Sequence, residues 1–173
     1  MRDRQKELLE LLDGSGASLY ALLTRLTLRE DIAEELMQEL FIKLNNARPK
    51  KIANWAAYAY RAAINLAFDW RRRQKRNVRS LNDVDEPSSN DNSPLSKLIH
   101  AEELQEMLNA VGRLNRTNRQ VLVMRYIQQQ QYDDIAQQMG KTPHQVRALC
   151  HKAINRMRDI FDSDKRLSFE KEI

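Results

Sequence analysis

Apolar positions repeat at three- and four-residue intervals through several separate stretches, the period of amphipathic helices. Leu8, Leu9, Leu11 and Leu12 mark one helix over 3–12, and Leu19, Leu22, Leu23 and Leu26 a second over 17–28, with Gly14 and Gly16 between them. Residues 31–47 carry Ala33, Met37, Leu40 and Leu44 on one stripe, with Leu36 and Phe41 beside it. Asp31 is placed to cap this helix and Glu34 to complete a box-like start. Arg48-Pro49-Lys50 ends it. Residues 52–73 then align Ile52, Trp55, Ala59, Ala63, Leu66 and Trp70, while Ala56, Ala62 and Ala67 let another helix approach closely. Further on, Leu104, Met107, Leu108, Val111 and Leu114 mark a helix over 98–114. Thr117 and Gln120 form a T-x-x-Q box that opens the next, through RQVLVMRYIQQQQ.

The sharpest pattern lies at 131–158. Ile135, Ala136 and Met139 form the apolar side of a short helix, and Gly140 follows where a helix ends in the left-handed conformation. Thr142 is an N-cap, Pro143 takes the first helical position, and Gln145 completes a second T-x-x-Q box. The helix so opened buries Val146, Cys150, Ala153 and Met157. His144, Arg147 and His151 project together from its other side, with Lys152, Arg156 and Arg158 nearby. A helix, a glycine turn and a capped basic helix make a helix-turn-helix, whose second helix enters the DNA major groove. The competing reading of this stretch alone is a helical hairpin with a solvated charged face.

Composition agrees with an all-α fold. The 173 residues include four glycines and four prolines, too few for an all-β protein full of turns. Residues 80–97, SLNDVDEPSSNDNSPLSK, are rich in Ser, Asn, Asp and Pro and cannot bury enough apolar surface to order themselves. The expected organisation is therefore two small helical domains, 1–79 and 98–161, joined by a flexible linker at 80–97 and followed by a charged tail at 162–173. No run of eighteen apolar residues is present, and the charged N-terminus MRDRQKELLELL lacks a signal-peptide core. With one cysteine, Cys150, no internal disulfide can form, and a reducing cytoplasm is the expected location.

Charge adds two candidate surfaces. The net charge of +5 permits a nucleic-acid partner. Within WRRRQKRNVR, Arg71, Arg72, Arg73, Lys75, Arg76 and Arg79 exceed what helix capping needs. Cations beside Trp55, Tyr58, Tyr60, Phe68 and Trp70 suit a single-strand binder, in which two or three of these rings would face bases. Against this basic background, Glu34, Glu35, Gln38 and Glu39 form an acidic surface on the 31–47 helix. That surface is either ordinary first-turn dipole chemistry or a docking face. His100, His144 and His151 show no metal spacing with Cys150 or the acids, and neither a phosphate loop nor a G-x-S-x-G elbow occurs. No catalytic constellation, metal site or cofactor is expected.

Two blocks in order resemble one family. DIAEELMQELFIKL followed by NWAAYAYRAAINLAFDWRRRQKR resembles the second region of the bacterial sigma-70 family, and residues 111–158 resemble its fourth. Only the short linker separates them, as in the small extracytoplasmic-function (ECF) sigma factors. The resemblance implies a transcription initiation factor that is not an enzyme. Its partners would be the β′ and β subunits of core RNA polymerase, promoter DNA and an anti-sigma factor, with no membrane insertion. It assigns polymerase docking to Asp31, Glu34, Glu35, Gln38 and Glu39, and so favours docking for the acidic face. It assigns the −10 element to Asn65, Asp69, Arg72, Arg73, Lys75 and Arg76, with a base-capturing loop over Gln74 to Arg79. The −35 element falls to His144, Arg147, His151, Lys152 and Arg156. The sequence departs from the family at Pro143-His144-Gln145, where Ser or Thr and Lys or Arg are usual. It departs again at Gln128–Gln131, where a glycine turn is usual. The alternative reading is a stand-alone helix-turn-helix regulator that binds a palindrome as a dimer. A DNA-processing enzyme is disfavoured by the missing catalytic constellation.

Overall fold

A computed structural model describes residues 2–47, 52–80 and 94–171, with side chains over 6–47, 52–77 and 99–164. The described residues are predominantly helical, with no strand among them. Helix α1 spans Arg2–Thr27, α2 Glu30–Asn46 and α3 Trp55–Ser80. After residues 81–93, which are outside the described set, come α4 (Pro94–Gly112), α5 (Arg116–Leu122), a π-helical turn (Val123–Ile127), α6 (Tyr132–Met139) and α7 (Pro143–Lys171).

Helices α1, α2 and α3 pack on one another through the stripes expected of them. Leu19, Leu22, Leu23 and Leu26 of α1 meet Ala33, Leu36, Leu40 and Leu44 of α2, and Ala59, Ala63, Leu66 and Ala67 of α3, all buried. The small residues of α3 admit close approach. At the tight α1–α2 turn, the buried Thr27 hydroxyl donates to Leu23 O (2.8 Å) and accepts from the Arg29 N–H (3.3 Å). Leu28 takes φ 61° there.

Four local expectations differ. The two helices parted by Gly14 and Gly16 are one helix, α1. Each glycine costs about 1 kcal/mol in a helix interior, but extending a helix is cheaper than nucleating a new one. Asp31 lies inside the first turn of α2 rather than capping it. The N-cap position is Arg29, whose guanidinium pairs with Asp31 at 2.6 Å. Helix α5 is capped by Asn115, which accepts from Asn118 N at 2.9 Å, instead of by Thr117. The 162–173 tail begins as a continuation of α7, which runs to Lys171.

Helices α5, α6 and α7 form the second domain around Val121, Val123, Met124, Ile135, Ala136, Val146 and Cys150. A smaller cluster of Ala110, Leu114, Leu122, Ala153 and Ile160 ties the end of α4 to α5 and α7. The two domains are docked. Fully buried Phe68 of α3 faces Gly112 of α4, and the Arg119 guanidinium of α5 lies 5.1 Å from the Phe68 ring centre. Arg61 of α3 donates to Gln138 O at the end of α6 (2.8 Å), and Arg25 of α1 to Ile127 O (3.3 Å).

Candidate nucleic-acid interface

The helix-turn-helix forms as its sequence directs. Gly140 takes φ 62° and ψ 39°, and its N–H closes α6 against Ala136 O and Gln137 O. The capping box is reciprocal: Gln145 N donates to Thr142 Oγ1 at 3.2 Å, and Thr142 N to Gln145 Oε1 at 3.0 Å. Val146, Cys150 and Ala153 are buried, and Met157 is half-buried. Burial pushes the Cys150 thiol up, against a weaker pull from Arg125. His144, Arg147, His151, Lys152 and Arg156 are all exposed along one continuous side of α7. Arg156 has an exposed ion partner in Asp159 at 3.9 Å, and His151 Nδ1 lies 3.3 Å from Asn155 Nδ2.

Two features here were not read from the sequence. The π turn at Val123–Ile127 widens the helix by one residue per turn, and Gln129 follows at φ 54°. The glutamine run thus makes its turn without glycine. Arg125 donates to Gln130 O (2.8 Å), and Gln138 Nε2 to Gln130 Oε1 (3.0 Å). The second feature is a stack. The guanidinium carbons of Arg125 and Arg147 lie 4.6 Å and 5.3 Å from the centre of the Tyr132 ring. Aromatic and arginine residues at 125, 132 and 147 were legible, but only the fold brings them together.

On α3 the cations divide. Arg72, Arg73, Lys75 and Arg76 are exposed, and Arg72 pairs with Asp69 one turn earlier. Arg71, one member of the expected cationic run, is instead buried at 6% exposure. It donates to Leu26 O (3.2 Å), Gln105 O (3.2 Å) and Asn109 Oδ1 (2.9 Å), bridging the end of α1 to α4. Burial pulls its pKa down to about 10. Asn65 is half-buried beneath the second domain and accepts from Gln120 Nε2 at 3.4 Å. The expected base-capturing loop at Gln74–Arg79 is helical, because α3 runs on to Ser80. Of the aromatics, Phe68 is core, while Trp55, Tyr58, Tyr60 and Trp70 are half-buried, and Trp55 and Tyr58 meet edge to face at 6.1 Å.

The acidic residues Asp31, Glu34, Glu35, Gln38 and Glu39 are exposed on α2. The Arg29 side chain, hydrogen-bonded to it, holds the Asp31 carboxyl below the usual range. Glu39 shares a groove of about 320 Å³ with Asp69, Arg72, Arg73 and Arg76, so the acidic and basic faces adjoin. No cluster of three metal-ligating side chains occurs among the described residues, and no described helix is long and apolar enough to cross a membrane.

A helix-turn-helix with a reciprocally capped, basic second helix in one domain, and a basic helix end beside an acidic face in the other, define a two-part helical protein. Residues 14–77 match the sigma-70 region 2 family model and residues 104–157 match sigma-70 region 4. Together the two matches span most of the chain, which belongs to the sigma-70 family and is a sigma factor of the ECF type. No curated protein sequence matches it. Among solved structures it is similar to the sigma factor RpoE in complex with the anti-sigma factor NepR from Bartonella quintana. That likeness has 21% identity and a TM-score of 0.50, over 95% of this chain and 99% of that one. It is also similar to CnrH in complex with the cytosolic domain of CnrY, at 17% identity and TM-score 0.48, over 92% of this chain and 90% of that one.

Proposed function

We propose that the exposed faces divide the work of promoter-specific initiation among α2, α3 and α7. The acidic side of α2, through Asp31, Glu34, Glu35, Gln38 and Glu39, docks on core RNA polymerase at β′, and β contacts the second domain. Asn65, Asp69, Arg72, Arg73, Lys75 and Arg76 engage the −10 element. His144, Arg147, His151, Lys152 and Arg156 engage the −35 element. The chain supplies sequence recognition and no bond-making chemistry, works in the cytoplasm, and is held inactive by an anti-sigma protein.

The observation that carries this reading is the exposure of the α2 and α7 faces and of the α3 cations Arg72, Arg73, Lys75 and Arg76, on elements matched to regions 2 and 4. The docked arrangement is a resting one. Elements roughly 25 base pairs apart lie about 85 Å from each other at about 3.4 Å per base pair. A compact chain of this length has a radius of gyration of only about 16 Å. Residues 81–93 would reach at most about 45 Å when extended, so the domains must part to engage both elements. Parting also uncovers Asn65. Two modest contacts on one tether then reinforce each other through effective concentration.

Run-off transcription with bacterial core polymerase on a genomic fragment library tests the reading. New start sites sharing two spaced upstream elements are the expected result. Failure to bind core, with dimeric binding to a duplex instead, would transfer the assignment to a stand-alone regulator.

A further inference from the structure

Several arginines in the described part of the second domain and its flanks are committed. Arg113 pairs with Asp164 at 2.8 Å, Arg156 with Asp159, and Arg119 is buried against Phe68. Arg125 and Arg147 are different. Neither forms an ion pair among the described residues, although Asp133 and Asp134 are exposed in the first turn of α6. Instead both guanidinium groups lie over the Tyr132 ring. A stacked guanidinium keeps in-plane N–H groups available, whereas a carboxylate partner would occupy them; Arg125 gives one of its own to Gln130 O and keeps the rest. Two unneutralised cations on one ring also make a site short of a counterion.

The position of Arg147 on α7 indicates what supplies that counterion. At 100° per residue, Arg147 sits at the edge of the exposed side, between buried Val146 and Cys150 and the outward His144, Ala148 and His151. The middle of a recognition helix reads base edges, and its flank meets the sugar–phosphate backbone. Arg125 arrives at the same flank because the π turn and its bond to Gln130 O hold it there.

Resting on the −35 reading of α7, we propose that Tyr132 is a positioning residue that presents Arg147, together with Arg125, to one DNA phosphate. The contact fixes the register of the recognition helix. Holding a long side chain in place beforehand removes part of the entropy cost of ordering it on binding.

The test measures binding of the full chain to a random-sequence 30-base-pair duplex by fluorescence anisotropy across a salt series. A phosphate contact contributes about 0.9 to the slope of log K against log salt, or about eightfold in affinity at 0.1 M salt. Tyr132→Leu is expected to lower the slope by about that amount and Tyr132→Phe to preserve it, with urea midpoints compared for each variant. In a background carrying both Arg125→Ala and Arg147→Ala, Tyr132→Leu should have no further effect, because nothing remains to position. An undiminished effect there overturns the proposal, as does an unchanged salt slope for Tyr132→Leu in the otherwise unmodified chain. If Arg147→Ala itself binds as the unmodified chain does, the proposal is overturned; if Lys152→Ala plus Arg156→Ala also binds unchanged, the reading of α7 as the DNA-facing helix fails with it.

Discussion

Gly112 gives the docking of the two domains a direct test. A Cβ at this position would lie 3.4 Å from Phe68 Cδ1 and 3.9 Å from Cε1. That is ordinary contact, so Gly112→Ala fits, and the less flexible unfolded chain stabilises it by about 0.4–1 kcal/mol. Leucine adds three further carbons toward a ring that is fully buried. Overpacking of that kind costs about 1–3 kcal/mol. Opposing separation are the Arg61, Arg71 and Gln120 hydrogen bonds between the domains. Each contributes about 0.5–3 kcal/mol net, depending on charge. The strain is comparable to one or two of these bonds, and it is relieved by moving α4 off α3 without unfolding either domain.

Small-angle scattering reads the result. The docked chain has a radius of gyration of about 16 Å, and two bodies of about eighty residues held up to about 45 Å apart have one of about 25 Å. Gly112→Ala should match the unmodified chain, and Gly112→Leu should move toward the larger value with its helical signal intact. An unchanged radius and an unchanged urea midpoint for Gly112→Leu would refute the packing of Phe68 against α4. A radius near 25 Å for the unmodified chain would do so as well.

Three further outcomes follow from local substitutions. Thr142→Ala removes one half of the capping box and should destabilise the second domain by about 1 kcal/mol in a urea titration; a change below about 0.3 kcal/mol would mean the cap adds nothing. Because burial raises the Cys150 thiol, the unfolded chain ionises first as pH rises. Its stabilising contribution is complete below about pH 8.5 and fades as pH passes through the higher folded value. The difference in urea midpoint between the unmodified chain and Cys150→Ala should therefore narrow as pH rises above about 8.5, and widening would contradict the burial. Reversing charge with Glu35→Lys plus Glu39→Lys should weaken core polymerase binding at least tenfold with little change in stability, since both side chains are exposed. Equal binding would remove α2 from the docking face.

The helix-turn-helix was legible because its signals are local. Thr142, Pro143, Gln145 and Gly140 act within one or two turns, and the structure uses each of them. The stripes on α2 and α3 were legible for the same reason. Reading failed where two local signals competed or where tertiary packing decided. Asn115 and Thr117 are both capable caps, and Asn115 prevails two residues earlier. Gly14 and Gly16 resemble a break, yet no neighbour approaches their Cβ positions and α1 continues through them. The π turn had no sequence signal that distinguished it from an ordinary helix. Domain docking was invisible for a deeper reason. Several of its bonds run from arginine side chains to backbone carbonyls, at Gln105, Ile127 and Gln138, and every residue type has such carbonyls.

The WRRR run shows what this means for reading charge in such a protein. Three adjacent arginines look equivalent, but successive residues on a helix point 100° apart. Arg71 therefore faces the domain junction, where it satisfies three oxygens with no carboxylate among them, while Arg72 and Arg73 face solvent. The same residue type serves two ends on one turn. A buried guanidinium without an anionic partner is held only by its hydrogen bonds, and losing their geometry leaves an uncompensated charge. Opening the domains exposes Arg71 to water and relieves that penalty. On the function proposed above, it also adds a cation to the basic end of α3 that would meet DNA, so the docked form withholds part of the positive surface that the separated form would present.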